Sequence, residues 1–326
     1  MTYNVNNRTE ELHRQSMVID AHCDTLTMLS VQNRYLGQLS GKGHLDLPRL
    51  KLGGVRVQFF AAFISPEYKH APLKRALELV DKFHEEISDN QNNVQHVNNL
   101  DEIYCACSSG RVAGLLTVEG GECLEGSIQV LQQLYTLGVR SLTLTWNNRN
   151  ELGNGVNARE TTGLTTFGLS VVEELNRLGM LIDVSHLSEA GYDDVLKYSR
   201  MPVIASHSNC KALCNHPRNL SDKQIKSLAE NGGVMGITFV PAFLGGEKPS
   251  LKEVLDHIDH AVSVGGIDCV GLGSDFDGTD EPALGLEDCS AWPSLTGGLI
   301  DRGYRDIDVK KIIGSNFLRV IGQVLK

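Results

Sequence analysis

Residues 181–208 read LIDVSHLSEAGYDDVLKYSRMPVIASHS, and they hold one full period of a pattern that recurs along the chain. An apolar run, Leu181 to His186, closes on a histidine. A segment with helical periodicity, Glu189 to Tyr198, follows, and a second apolar run, Pro202 to Ser208, closes on His207. A β-rich run, an amphipathic helix and another β-rich run make two parallel strands joined by a crossover helix.

Outward from this unit, strands are expected at Met17 to Asp24, Val55 to Ile64, Gly114 to Gly120, Ser141 to Trp146, Leu181 to His186, Pro202 to Ser208, Gly233 to Phe239 and Cys269 to Phe276. Crossover helices are expected at Pro72 to Ile87, Ser127 to Leu137, Thr165 to Leu178, Glu189 to Tyr198, Asp222 to Glu230 and Leu251 to Val264, with Asp308 to Val324 closing the ring. Glycines in YTLGVR, NRLGML and SVGGID sit where a helix ends just before the next strand. Eight βα units predict a (β/α)8 TIM barrel, a fold that takes about 250 residues. The chain has 326, and the excess falls in two long connections, Thr25 to Gly54 and Asp277 to Asp306. With no linker or repeat, residues 1–326 read as one catalytic domain whose long loops wall a pocket.

Hydrophobic residues at 41% and charged residues at 21% fit a globular core with no disordered tract. A net charge of -10 without any lysine or arginine run argues against nucleic acid as a partner. The polar N-terminus lacks the apolar stretch of a signal peptide, and no window approaches the roughly 18 apolar residues of a membrane span. A cytoplasmic protein is expected. The eight cysteines form no C-x-x-C pair and read as reduced thiols, buried in the core.

In a barrel, groups at the C-terminal strand ends converge on one mouth however far apart they lie in sequence. His22 and Asp24 close the first strand two residues apart, so on extended chain they point the same way. Glu119 closes the third strand in GLLTVEGG, His186 and His207 close the fifth and sixth, and Asp275 closes the eighth in GLGSDFDG. Each fragment alone also reads as a buried histidine or a helix cap. Five imidazole and carboxylate groups at strand ends together point to metal, with Glu119 placed to bridge two ions and Asp275 to act as general base. Asp277, followed by Gly278, can be read as a turn former. Glu122 and Glu125 read as solvated or helix-capping, and His13, His44, His70, His84, His96, His257 and His260 as surface histidines. No G-x-S-x-G elbow, Walker A loop or G-x-G-x-x-G turn is present, which removes the serine-hydrolase, phosphate-loop and dinucleotide readings.

From Met17 to Leu325 the sequence resembles the renal, or membrane, dipeptidases, binuclear zinc enzymes on a (β/α)8 barrel. The resemblance is carried by IDAHCD, TVEGG, LYTLGVRSLTLT, IDVSH, PVIASHS with the trailing HPRNLSD, GLGSDFDG, GLEDCS and NFLRV. It implies two zinc ions per chain, one on His22 and Asp24, the other on His186 and His207, with Glu119 bridging. It further implies Asp275 as the acid/base and Arg218, in HPRN, as the arginine that holds the substrate's terminal carboxylate. One departure stands out. Where the mammalian members carry a substrate-contacting histidine, this chain has Trp146 followed by Asn147. An indole N–H donates one hydrogen bond but cannot become cationic; Asn147 could replace the histidine, or Trp146 could be a pocket wall. The expected function is a zinc dipeptidase for L,L and L,D dipeptides, in which a hydroxide held between the ions attacks the peptide carbonyl. A binuclear hydrolase of another amide or ester, such as a β-lactam or lactone, and a metal-stabilised peptide-binding barrel are the alternatives. A homodimer is compatible with the sequence, and the mammalian membrane anchor is not implied for this chain.

Overall fold

The computed structural model describes residues 7–160 and 162–326. Its strands are β1 (Val18–Asp20), β2 (Val55–Phe63), β3 (Val94–His96), β4 (Val112–Glu119), β5 (Val139–Thr143), β6 (Leu181–Asp183), β7 (Ile204–Ser208), β8 (Val234–Ile237) and β9 (Val270–Leu272). All pairings are parallel, in the order β1-β2-β4-β5-β6-β7-β8-β9. The ring closes because Ala21 N–H donates to Leu272 O at 3.0 Å, and Asp24 N–H to Phe276 O at 2.9 Å. This is a (β/α)8 barrel. β3 lies outside the ring, against the first residues of β4.

Crossover helices occur where the sequence places them: Pro72–Asp89, Ile128–Thr136, Thr166–Leu178, Glu189–Tyr198, Asp222–Glu230 and Leu251–Gly265. Successive strand residues alternate between two apolar layers, as the pleat requires. Phe60, Leu116, Ile182, Ala205 and Met235 pack under the outer helices. Phe59, Leu115, Leu181, Ile204 and Val234 pack with the last helix, Asn316–Val324, through Phe317, Val320 and Ile321. Room for Phe317 comes from Gly271, where an added Cβ would lie 2.4 Å from its ring.

Several expectations need correction. β3 and the helix Leu100–Ser108 lie between the expected helix Pro72 to Ile87 and the expected strand Gly114 to Gly120, where no element is expected; a strand of three residues is too short to show alternation. The expected helix from Asp308 to Val324 is interrupted over Lys311–Ser315, where Gly314 passes so close to Met17 that a Cβ would sit 1.6 Å from its carbonyl oxygen. Both long connections carry helices of their own, Thr25–Gln32 and Leu47–Leu52 after β1, and Trp292–Asp301 after β9. His13 and His257 are buried, not on the surface. His13 bonds Thr296 Oγ1 at 2.7 Å and Gly53 O at 2.8 Å. Of the cysteines, Cys105 is exposed, and Cys107 and Cys214 are half-buried.

Candidate metal centre

At the C-terminal mouth of the barrel, Glu119 ends β4 with its carboxylate between histidines from opposite sides of the sequence. Its Oε2 lies 3.3 Å from His22 Nε2, and its Oε1 lies 2.8 Å from His186 Nε2 and 3.7 Å from His207 Nε2. His22 Nε2 is also 3.6 Å from Asp24 Oδ2 and 3.9 Å from Asp275 Oδ1. Three ligand sets result: His22, Asp24 and Glu119; Glu119, His186 and His207; His22, His207 and Asp275, with the ligand atoms of each set within 4.8 Å of one another. The first two share Glu119.

The backbone turns at strand ends to make this convergence. Ala205 packs outward, and a straight β7 would carry His207 to the same face. A register shift between Ala205 and Ser208 breaks that alternation. His186 and Asp275 take left-handed φ values of 65° and 63°, which His and Asp adopt more readily than most residues.

The imidazoles are oriented from behind. His207 Nδ1 meets Ser206 Oγ at 2.8 Å, and Ser206 donates to Asp183 Oδ2 at 2.5 Å, which leaves His207 Nε2 free of hydrogen for a ligand. His186 Nδ1 donates to Asn147 Oδ1 at 2.8 Å, so its Nε2 faces His207 Nε2 at 2.9 Å. Two ring nitrogens aimed at one point, each with its other nitrogen engaged, is the pattern of metal-binding histidines. His22 Nε2 and Asp24 Oδ1 are buried without a hydrogen-bond partner, an expensive state that a cation between them would relieve. The residues therefore fit a pair of divalent ions.

Electrostatics point the same way. Burial opposes protonation of His22, yet the charges of Glu119 and Asp24 hold its pKa well above the ordinary value. Burial would raise Glu119, but His22 and His186 keep it below the usual carboxylate range. Burial, with His22 and Arg218 adding to it, holds His207 well below its ordinary value. His186 is pushed down to about 4 by burial and by Arg218. Asp275 is raised to about 7, chiefly by burial, with Asp24 and Glu119 adding to it and His22 opposing.

Arg218, beside Pro217, is buried. One Nη2 hydrogen bond at 2.9 Å runs to His207 O, and its Nε has no partner. Arg218 and His186 both line a 440 Å³ cavity. Trp146 lies between Phe63, 5.6 Å away by ring centroids, and His186, 6.0 Å away. Asn147 does not present its oxygen to a substrate, because that atom is engaged by His186. Glu122 stays outside the cluster and accepts from Asn150. The supporting carboxylates Asp20 and Asp183 escape a reading for ligands. Each follows an isoleucine and precedes its histidine, in IDAH and IDVSH, and that repeat was the available signal. Asp20 accepts from Ser274 N–H at 2.8 Å and Ser274 Oγ at 2.6 Å. No helix among the described residues is long and apolar enough to cross a membrane.

The model of the membrane dipeptidases, peptidase family M19, matches residues 6–326. Dipeptidase verJ of Clonostachys rogersoniana is 37% identical over 294 residues, 86% of this chain and 76% of that protein. The solved structure of dipeptidase AC, a family M19 metallopeptidase, superposes with a TM-score of 0.89 at 30% identity, covering 95% of this chain and 99% of its own. A metallopeptidase from Rhodobacter sphaeroides, solved with a phosphinate mimic of the dipeptide L-Ala-D-Ala, gives 0.88 at 29% identity, with 95% and 100% covered.

Proposed function

The chain belongs to the membrane dipeptidase family, peptidase family M19, and is a peptide-bond hydrolase; on that premise we propose that it is a zinc dipeptidase with two ions per chain sharing Glu119. The observation that carries this reading is the pair of ligand sets, His22 with Asp24 and His186 with His207, on either side of one carboxylate. Zinc ions bound there supply a water activated at neutral pH and polarisation of the scissile carbonyl.

The remaining work falls to the chain's own side chains. Asp275, raised to about 7 and near His22, takes the proton of the attacking water and passes it to the departing amine. Arg218, held by His207 O and with Nε to spare, receives the substrate's terminal carboxylate, for which its planar fork is suited. Trp146 walls the pocket and takes no cationic part in oxyanion stabilisation. L,L and L,D dipeptides are the proposed substrates, the second supported by the L-Ala-D-Ala mimic held by the similar Rhodobacter sphaeroides enzyme. Turnover of a panel of L,L and L,D dipeptides by zinc-loaded protein tests this. Hydrolysis of β-lactams or lactones with no dipeptide turnover would overturn it.

A further inference from the structure

Asp277 is the carboxylate of GLGSDFDG that the chemistry above leaves unused, and it is no mere turn former. Its side chain is fully buried against Arg34, itself 4% exposed. Oδ2 accepts from Arg34 Nη2 at 2.5 Å and from Thr25 Oγ1 at 2.7 Å, and Oδ1 accepts from His44 N–H at 2.8 Å. Arg34 also donates through Nη1 to Leu45 O at 2.6 Å. The pair thus joins the two long connections, the one after β1 and the one after β9.

Its position in the chain is what gives it a role. Thr25 directly follows Asp24, and Asp277 stands two residues after Asp275. The two segments are zipped by Asp24 N–H to Phe276 O at 2.9 Å and Asp275 N–H to His22 O at 3.2 Å. Asp275 and Asp277 both take left-handed φ, 63° and 66°. At Gly278 an added Cβ would lie 2.2 Å from Asp275 Oδ1 and 2.3 Å from Asp24 Oδ2, so both carboxylates converge on that backbone. A buried ion pair is poorly explained by stability, since apolar residues of similar volume often do as well. What it adds is direction and register.

We propose that the Arg34–Asp277 pair is a positioning device for the reaction: acting through Thr25, it fixes the metal-ligating Asp24 against the proton-carrying Asp275. This rests on the metallodipeptidase reading. The test uses the full-length, zinc-loaded chain and compares Arg34→Met, Arg34→Lys, Asp277→Asn and Thr25→Val with Arg302→Met, which breaks ion pairs to Asp256 and Asp259 outside the site. Both kcat and KM are measured, together with the rate of zinc loss to a chelator. A misplacement of about 1 Å costs on the order of 100-fold, so Arg34→Met and Asp277→Asn should lower kcat by roughly 10- to 100-fold with KM little changed. One of the two ions should also be lost faster. Arg34→Lys should recover part of the rate, and Thr25→Val should shift both readouts the same way by less. Arg302→Met should lower Tm and leave kcat and zinc loss alone. Wild-type kcat and zinc retention in folded Arg34→Met would overturn the proposal; if that variant does not fold, the same result in Thr25→Val would. Activity falling only in step with the folded fraction, as in Arg302→Met, would also overturn it. Absence of dipeptide turnover by the wild type would remove the functional reading, while zinc retention would still decide the clamp.

Discussion

Asp275 and Arg218 face the same centre but serve different parts of the reaction, so their removal should leave different kinetic signatures. General acid–base groups contribute about 10²- to 10⁴-fold. Asp275→Asn should lower kcat by that order while zinc content is unchanged, and an unchanged kcat would remove Asp275 from the mechanism. For Arg218 the reporter is the substrate. A hydrogen bond to a charged group contributes about 1.5–3 kcal/mol, so amidating the dipeptide's carboxylate should cut kcat/KM by roughly 10- to 150-fold in the wild type. The same change should matter little in Arg218→Met. Equal sensitivity in the two proteins would mean that Arg218 does not read the terminus.

The elements divide into a mouth that carries chemistry and a floor that carries stability, as in other barrels. Phe317 belongs to the floor, packed against Phe59 with ring centroids 6.1 Å apart. Phe317→Ala should cost about 3–5 kcal/mol by urea denaturation, with the kcat of the folded protein unchanged; a loss of kcat per folded molecule would mean that floor and mouth are coupled. This division explains what the sequence made legible. The strand-end residues His22, Asp24, Glu119, His186, His207 and Asp275 could be read because a parallel barrel converts distant strand ends into neighbours. The partners behind them left little trace beyond the repeated Ile-Asp of IDAH and IDVSH. Ser206 and Asp183 join His207 only through the bulge in β7, and the Arg34–Asp277 contact spans 243 residues with no periodicity to announce it. β3 was hidden by its length, and the kink at Gly314 by the distant Met17 carbonyl it accommodates. Trp146 and Asn147 showed the converse problem. Their departure from the family pattern was visible, yet only the structure connects Asn147 to His186.

Over the whole molecule, the N-terminal helix meets both long connections through one buried histidine that responds to pH. His13, in the helix Asn7–Arg14, joins Gly53 before β2 to Thr296 in the helix after β9, and burial lowers its pKa from the ordinary 6.5. Such a histidine is neutral in the folded protein, so its contribution is complete above about pH 6.5 and is lost as pH falls, when the unfolded chain takes the proton first. The urea midpoint should drop between pH 7.5 and 5.5, and less so in His13→Gln. Equal slopes in the two proteins would exclude His13 as a source. Metal-dependent effects are common to both and cancel in the comparison.

Everything proposed for the mouth depends on two ions sharing one carboxylate, and metal analysis of wild type beside Glu119→Ala tests that most directly. About two zinc ions per wild-type chain, with at least one lost from folded Glu119→Ala, is the expected result. Two ions retained by Glu119→Ala with wild-type affinity, or a single ion in the wild type under saturating zinc, would contradict it.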